Sequence, residues 1–282
     1  MKKGLVMEGG AMRGMFTAGV TDVMMERGIR FDGAVGVSAG AAFGCNYKSG
    51  QIGRAIRYNV NYGRDWRYCS LRSLILDGNL YSKRFCYGTV PKELDIFDFE
   101  AFDKNPMEFH VVCTDVMSGK PVYKKYDGNR ESFFDWIRAS ASMPLVSEVV
   151  EVEGYRLLDG GVSDSVPLRY FEQIGYDRNV VILTQPKGYQ KHENKLMPLI
   201  RIVLRKYPGI VESLEKRHLM YNAEIKYIEE KEKNGEILVI RPDSPLPVER
   251  IEKRPERLKM AYESGRNIAE KRMNEILEFL GD

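Results

Sequence analysis

The sequence has no paired cysteines. Its four, Cys45, Cys69, Cys86 and Cys113, contain no Cys-x-x-Cys, so they are expected to be free thiols in a reducing compartment. Histidine is scarce, with only His110, His192 and His218. None stands in a His-Glu-x-x-His spacing, and no other cluster resembles a metal site, so neither metal nor cofactor is expected. No apolar run approaches the ~20 residues of a membrane-spanning helix. The basic N-terminus has an apolar stretch of only a few residues, too short for a signal peptide. A cytoplasmic location is expected, with membrane association open only as peripheral contact at the inner face. An excess of one charge is missing too: 43 Lys and Arg stand against 40 Asp and Glu, a net +3. That is too mild to argue for nucleic acid as a partner. Repeats, low-complexity tracts and a clear interdomain linker are also absent, and nothing marks an oligomeric state.

The 282 residues suffice for one large domain or two small ones. A hydrophobic fraction of 43% and a charged fraction of 29% suit a soluble globular protein with a substantial core. The most informative stretch is Ala34 to Ala41, which contains Gly36-x-Ser38-x-Gly40. An apolar run, Phe31 to Val37, reads as a strand leading in, and small residues from Ala39 to Tyr47 read as a helix leading out. Strand, sharp turn and helix form the context in which this motif lifts a serine above a sheet edge. The helix N-terminus there favours negative charge. Ser38 is therefore the candidate nucleophile. The competing interpretation is a glycine-lined helix–sheet contact with Ser38 as an N-cap.

Before the elbow, Leu5 to Met7 reads as a strand, Glu8 to Gly14 as a glycine-rich turn, and Met15 to Arg27 as a helix. This β-α-β-α opening implies a parallel sheet with right-handed crossovers. The turn has two interpretations. As a dinucleotide fingerprint it fits poorly: alanine replaces the middle glycine, and the acid Asp32 begins the second strand instead of ending it. As an oxyanion hole it fits better, because turn and elbow both lie at carboxyl ends of neighbouring strands. Backbone N–H groups of Gly10, Ala11 and Met12 would then face an oxygen held over Ser38. Arg13 would either set the local field or pin the turn.

Farther along, Gln51 to Tyr62 reads as a helix. Arg64 to Tyr87 mixes aromatic and basic residues, as a cap over a pocket, a lipid-facing surface or an ordinary amphipathic segment. Met107 to Asp115 and Val122 to Tyr126 read as paired strands, Glu131 to Ala139 as a helix, and Val146 to Leu158 as a hairpin about Glu153-Gly154. The hairpin ends in Asp159-Gly160-Gly161. An acid there could partner Ser38 or merely stabilise a turn. Pro167 to Ile174 follows as a helix. Val180 to Thr184 reads as the last strand of the main sheet. Beyond it the chain is mainly helical, with a short strand expected at Ile237 to Ile240. One apolar stripe, Leu196 to Leu204, has basic neighbours and would lie on a membrane or pack on the sheet.

A serine hydroxyl needs a base. Ser38, Asp159 and His192 follow the chain order of an α/β-hydrolase triad, but that fold has several strands before its elbow and here about one β-α-β unit precedes it. His110 lies near the start of a strand and His218 on a helical stripe. What remains is a dyad, with Asp159 as direct base in a dry pocket that raises its pKa.

Four ordered motifs carry a resemblance: Gly9-Gly-Ala-Met-Arg-Gly14, Gly36-Val-Ser-Ala-Gly40, Ala139-Ser-x-x-x-Pro144 and Asp159-Gly-Gly161. Together they resemble the patatin-like phospholipase family, in its bacterial members, over about Lys3 to Thr184. The resemblance implies an α/β protein with a three-layer α/β/α fold, a mainly parallel central sheet and, here, a helical C-terminal extension. Residues 1–186 would be the catalytic domain, and 187–282 an extension packed on it or continuous with it. It also implies a Ser38–Asp159 dyad, calcium-independent hydrolysis of lipid carboxylic esters, and an oxyanion loop at Gly9, Gly10, Ala11 and Met12. Arg13, Gly14, Gly36, Gly40, Gly160 and Gly161 would support the site. Two departures are Glu8, where the family often has glycine or aspartate, and Ala11 in place of a third glycine. The alternative function is a non-enzymatic acyl-chain or membrane-surface lipid binder keeping the fold.

Overall fold

The computed structural model describes residues 1–281. Its frame is an eight-stranded sheet. The chain opens with β1 (Lys2–Met7), α1 (Gly14–Glu26), β2 (Gly33–Val37) and α2 (Ala39–Ser49). Then come α3 (Arg54–Tyr62), α4 (Leu71–Asp77), a wide π-type helical segment at Phe85–Leu94, and α5 (Phe99–Lys104). The middle of the chain gives β3 (Glu108–Asp115), β4 (Pro121–Lys125), α6 (Arg130–Ser140), β5 (Val150–Val152) and β6 (Tyr155–Asp159). After α7 (Leu168–Gln173) and β7 (Tyr176–Ile182), the last part holds α8 (Met197–Val203), α9 (Pro208–Lys233), β8 (Ile237–Ile240), α10 (Pro255–Lys271) and α11 (Met273–Leu280).

The parallel part of the sheet runs β3-β2-β1-β7-β8. Its strands are covered on both faces, which is why their sequences read as continuous apolar runs. Alternate side chains divide between two cores. Leu5, Met7, Ala34 and Ile182 pack with Phe16, Val20, Ala41, Phe133 and Ile276, so α1, α2, α6 and α11 cover one face. Val6, Val35, Val37, Val181 and Val239 pack with Leu168, Phe171 and Ile228, so α7 and α9 cover the other. The result is an α/β/α sandwich.

One expectation needs correcting. Val180 to Thr184 does not end the sheet: β8 lies outside β7, parallel to it, from Asn179 opposite Ile237 to Ile182 opposite Ile240. All four residues of β8 are buried, so an Ile-Leu-Val-Ile run has nowhere better to go than the sheet edge. The segment after residue 186 is mainly helical and also supplies this strand. It is tied to the N-terminal helix as well, where Tyr262 Oη donates to Asp22 Oδ2 (2.7 Å) and Arg266 pairs with Glu26. Among the described residues no helix is long and apolar enough to cross a membrane.

Candidate active site

Ser38 and Asp159 meet because of how two strands share one edge of β3. The opposite edge of β3 is taken by β4, along His110 to Thr114. The near edge is shared end to end. β2 runs parallel along Glu108 to Val112, and β6 comes antiparallel along Cys113 to Asp115. The two strands therefore point at each other. They stop at adjacent positions of β3, Val37 opposite Val112 and Asp159 opposite Cys113. Ser38 is the next residue after Val37, and its Oγ donates to Asp159 Oδ2 at 2.8 Å.

The elbow is strained and braced. Ser38 has φ +53° and ψ −118°, outside the comfortable regions for an L-residue, at a typical cost of about 1–3 kcal/mol. Its N–H donates to Ser140 Oγ (2.8 Å), which in turn donates to Val112 O (2.6 Å). Its carbonyl accepts the first amides of α2, from Ala41 and Ala42. The motif glycines are required by contact. A Cβ on Gly40 would sit 2.4 Å from Met7 O, and one on Gly36 2.5 Å from Gly40 O. The Ser38 side chain does not cap α2; it faces the carboxylate.

Asp159 makes both contacts that the sequence left as alternatives. Oδ1 accepts the Gly161 N–H at 2.8 Å and closes the turn, while Oδ2 accepts from Ser38. Thr114 Oγ1 holds its carbonyl at 2.8 Å. Gly160 passes so close to β3 that a Cβ would lie 2.1 Å from Val112 O. Burial pushes the Asp159 carboxyl above the ordinary carboxylate range. The Arg217 charge, the Ser38 hydroxyl and the Gly161 amide pull it partly back.

The glycine-rich turn lies beside this pair. A 3-10 turn at Ala11–Arg13 is closed by Arg13 N–H to Gly10 O (3.1 Å). The amides of Gly10, Ala11 and Met12 have no acceptor among the described residues. Ala11 takes φ +49°, a conformation glycine would adopt without strain. Gly9, Gly10, Ala11 and Arg13 line a cavity with Ser38 and Asp159, and Met12 lines a second cavity with Ser38. Gly14 opens α1 against Ala39 and Phe43. Glu8 anchors the turn: its carboxylate accepts from Thr184 N (2.5 Å), Thr184 Oγ1 (3.0 Å) and Tyr221 Oη (2.8 Å). The Arg13 side chain makes no hydrogen bond among the described residues, and its buried Nε is left without a partner, so it does not pin the turn.

Histidine is elsewhere. His110 bonds Tyr170 and faces Glu108, His218 lies 3.8 Å from Glu193, and His192 is exposed. None lines either cavity at Ser38. No three His, Cys, Asp or Glu side chains converge to hold a metal among the described residues.

The two cavities differ. One, about 90 Å³, is apolar and includes Phe43, Tyr58, Val90, Phe134 and Ile137. Tyr68, Tyr81 and Tyr87 also line it, so the aromatic segment Arg64 to Tyr87 acts as its cap. The other, about 370 Å³, adds Glu8, Lys191, Arg217 and Arg250 to the shared residues Ala11, Ser38 and Met143. The Leu196–Leu204 stripe is split. Ile200 and Leu204 are buried against Val116, Ile210 and Leu214, whereas Leu196, Leu199 and Val203 are exposed.

Sequence reasoning missed Ser140 as a brace, although it lies in the Ala139–Pro144 landmark. It also missed Glu8 as an anchor, and Lys191, Arg217 and Arg250 altogether. No local pattern marks those three cations, because they converge only through the packing of α9 and two loops.

Comparison with known proteins gives two family models. One, described as patatin-like phospholipase, matches residues 5–172. The other, a domain of unknown function (DUF6363), matches residues 207–281. YjjU of Escherichia coli, itself uncharacterized, is 30% identical over 244 residues, covering 75% of this chain and 64% of YjjU. Lysophospholipase nte1 of Aspergillus terreus is 28% identical over 186 residues, 62% of this chain and 11% of that protein. An uncharacterized NTE family protein of Mycobacterium tuberculosis is 26% identical over 178 residues, 63% of this chain and 48% of its own length. The chain thus spans less than two thirds of each of these relatives. VipD of Legionella pneumophila shares 14% identity at a TM-score of 0.47, covering 97% of this chain and 67% of VipD, a likeness too loose to compare sites.

Proposed function

The chain belongs to the patatin-like phospholipase family, and on that premise we propose that it is a serine acyl hydrolase of lipid carboxylic esters. The observation that carries this reading is the 2.8 Å hydrogen bond from Ser38 Oγ to Asp159 Oδ2 at the junction of the two cavities. The name lysophospholipase on the Aspergillus relative supports a lipid ester as substrate. Residues 1–186 act as the catalytic unit, and 187–282 complete the polar cavity.

In this mechanism Asp159 takes the Ser38 proton as Oγ bonds to the ester carbonyl carbon. The carbonyl oxygen becomes an oxyanion, received by the free amides of Gly10, Ala11 and Met12. The tetrahedral species collapses, the ester C–O bond breaks, and Asp159 gives its proton to the leaving alkoxide. Water then attacks the acyl-serine, losing its proton to Asp159. Collapse releases the fatty acid and returns the proton to Ser38 Oγ. The raised pKa of Asp159 makes it a stronger base than an exposed carboxylate. The α2 N-terminus favours the charge that develops. No step calls for calcium, so activity is expected to persist in EDTA.

The test is fatty-acid release from a mixed lipid extract, alongside labelling by a serine-directed fluorophosphonate. Ser38→Ala should abolish both, and Asp159→Asn should reduce release by about 10⁴-fold or more. Near-normal release by Asp159→Asn would refute the dyad. A protein that only binds acyl chains would release nothing and fail to label.

A further inference from the structure

The larger cavity at Ser38 carries more positive charge than its own carboxylates answer. Arg13, Lys191, Arg217 and Arg250 line it against Glu8 and Asp159. Both carboxylates are already engaged. Glu8 accepts from Thr184 and Tyr221, and Asp159 from Ser38 and Gly161. None of the four cations is ion-paired with a carboxylate among the described residues. Arg217 uses Nε on Gly161 O (2.5 Å), and Lys191 Nζ lies over the Tyr221 ring at 4.3 Å. Arg13 Nε is buried with no partner.

Lys191 and Arg217 feel burial first and their cationic neighbours after it. Burial first, then Arg217, Arg250 and Arg13, pushes Lys191 down to about 8, with Glu8 opposing. Burial and Arg250 lower Arg217, while Asp159, Glu224 and Glu8 raise it. Four cations face two carboxylates here, so the partly desolvated Lys191 and Arg217 meet more like charge than Glu8 and Asp159 offset, and an anion placed among them would relieve that excess. Guanidinium groups suit phosphate oxygens in particular. The cavity, about 370 Å³, has room for a phosphate with a small substituent.

We propose that this cavity seats the phosphate of a lipid headgroup, and that Lys191, Arg217 and Arg250 select phosphate-bearing acyl lipids over uncharged acyl esters. All three cations come from the segment beyond residue 186, outside the stretch matched by the phospholipase family model. The arrangement rests on the acyl hydrolase reading for one point: the ester carbonyl sits at Ser38, with the chain in the apolar cavity and the phosphate in the charged one. Arg217 is unsuitable as a probe because its charge also acts on Asp159. Lys191 and Arg250 are the residues to change.

The experiment is calorimetric binding to the full chain of three probes below micellar concentration: decyl phosphate, decanol and inorganic phosphate. Wild type should bind decyl phosphate at least about tenfold more tightly than either other probe. The Lys191→Gln/Arg250→Gln double variant should lose about tenfold or more for decyl phosphate while decanol stays within about twofold. Should the double variant fail to fold, Arg250→Gln alone, at an exposed residue, should show a smaller loss of the same selectivity. Decyl phosphate binding no tighter than decanol, or equal losses for both, would overturn the headgroup site. Inorganic phosphate binding as tightly as decyl phosphate would overturn it in favour of a free anion. Binding needs no turnover, so these outcomes stand apart from the hydrolase reading, which fails only if Ser38 neither labels nor supports release.

Discussion

The two cavities that meet at Ser38 are built by different means. The apolar one draws on residues between Ala11 and Met143, and its walls are the hydrophobic faces of α2, α3, α6 and the aromatic segment. The charged one runs from Glu8 to Ile251 and collects its cations from the Gly-rich turn, a loop, α9 and the loop before α10. An apolar wall forms wherever amphipathic faces pack, and it tolerates exchange of one hydrophobe for another. A charged wall depends on a few side chains held unpaired at set positions. Changes on the charged side should therefore be felt through electrostatics and pH, and changes on the apolar side through size.

The largest break falls on Asp159, which lines the charged cavity and accepts from Ser38, a residue of both. Asp159→Asn, beyond abolishing turnover, should make the protein more stable. The Asp159 pKa is raised in the fold, so the folded state holds its proton at pH values where the unfolded chain has lost it. The wild type is then unpenalised below the ordinary carboxylate pKa and loses stability as pH rises from there through the folded pKa. Asparagine carries no such penalty and keeps an acceptor for Gly161 N–H. The melting temperature of the variant should exceed that of the wild type at neutral pH, and the gap should close in acid. A gap independent of pH would show that ionisation of Asp159 is not the cause.

Next in size is the electrostatic link across the charged cavity. Arg217 is the foremost influence holding the Asp159 pKa down against burial. Without that charge the carboxyl should keep its proton to higher pH. The acid limb of kcat/KM should move upward in Arg217→Gln and activity at low pH should fall, with the loss narrowing on the alkaline side. An unshifted limb with a uniform loss would assign Arg217 a purely structural role through Gly161 O.

On the apolar side the prediction concerns length. Ala42 lines that cavity one turn into α2, and Ala42→Leu takes up space a chain would use. Turnover of long-chain esters should drop about tenfold in kcat/KM while short-chain esters change little. Equal losses for both lengths would place the chain elsewhere and dissolve the contrast between the cavities.

How much of this could be read from the chain also follows the division. The β-α-β-α opening, the elbow at Ser38 and the acid ending the hairpin were legible because each is local: apolar runs, glycines at close approaches, an acid before two glycines. The meeting of Ser38 with Asp159 was only inferable, since it depends on β2 and β6 facing each other along one edge of β3. Placement of β8 beyond β7 was invisible, because an apolar four-residue strand does not name its partner. Lys191, Arg217 and Arg250 were unreadable for a deeper reason. Exposed and buried cations look alike in a sequence, and their convergence is decided by helix packing far along the chain.

The smallest effect is expected at His192, and its smallness is informative. A triad would need a histidine between Ser38 and the acid, with one ring nitrogen within about 3 Å of the serine oxygen. That position is occupied: Ser38 Oγ already reaches Asp159 at 2.8 Å, leaving no space for an imidazole. His192 is exposed and borders neither cavity, so His192→Ala should stay within about twofold of wild-type kcat/KM, with surface-level cost in stability. A loss approaching that of Ser38→Ala would mean that the loop from Lys187 to Asn194 swings in to supply the base, and the direct Ser38–Asp159 contact would then describe a resting state.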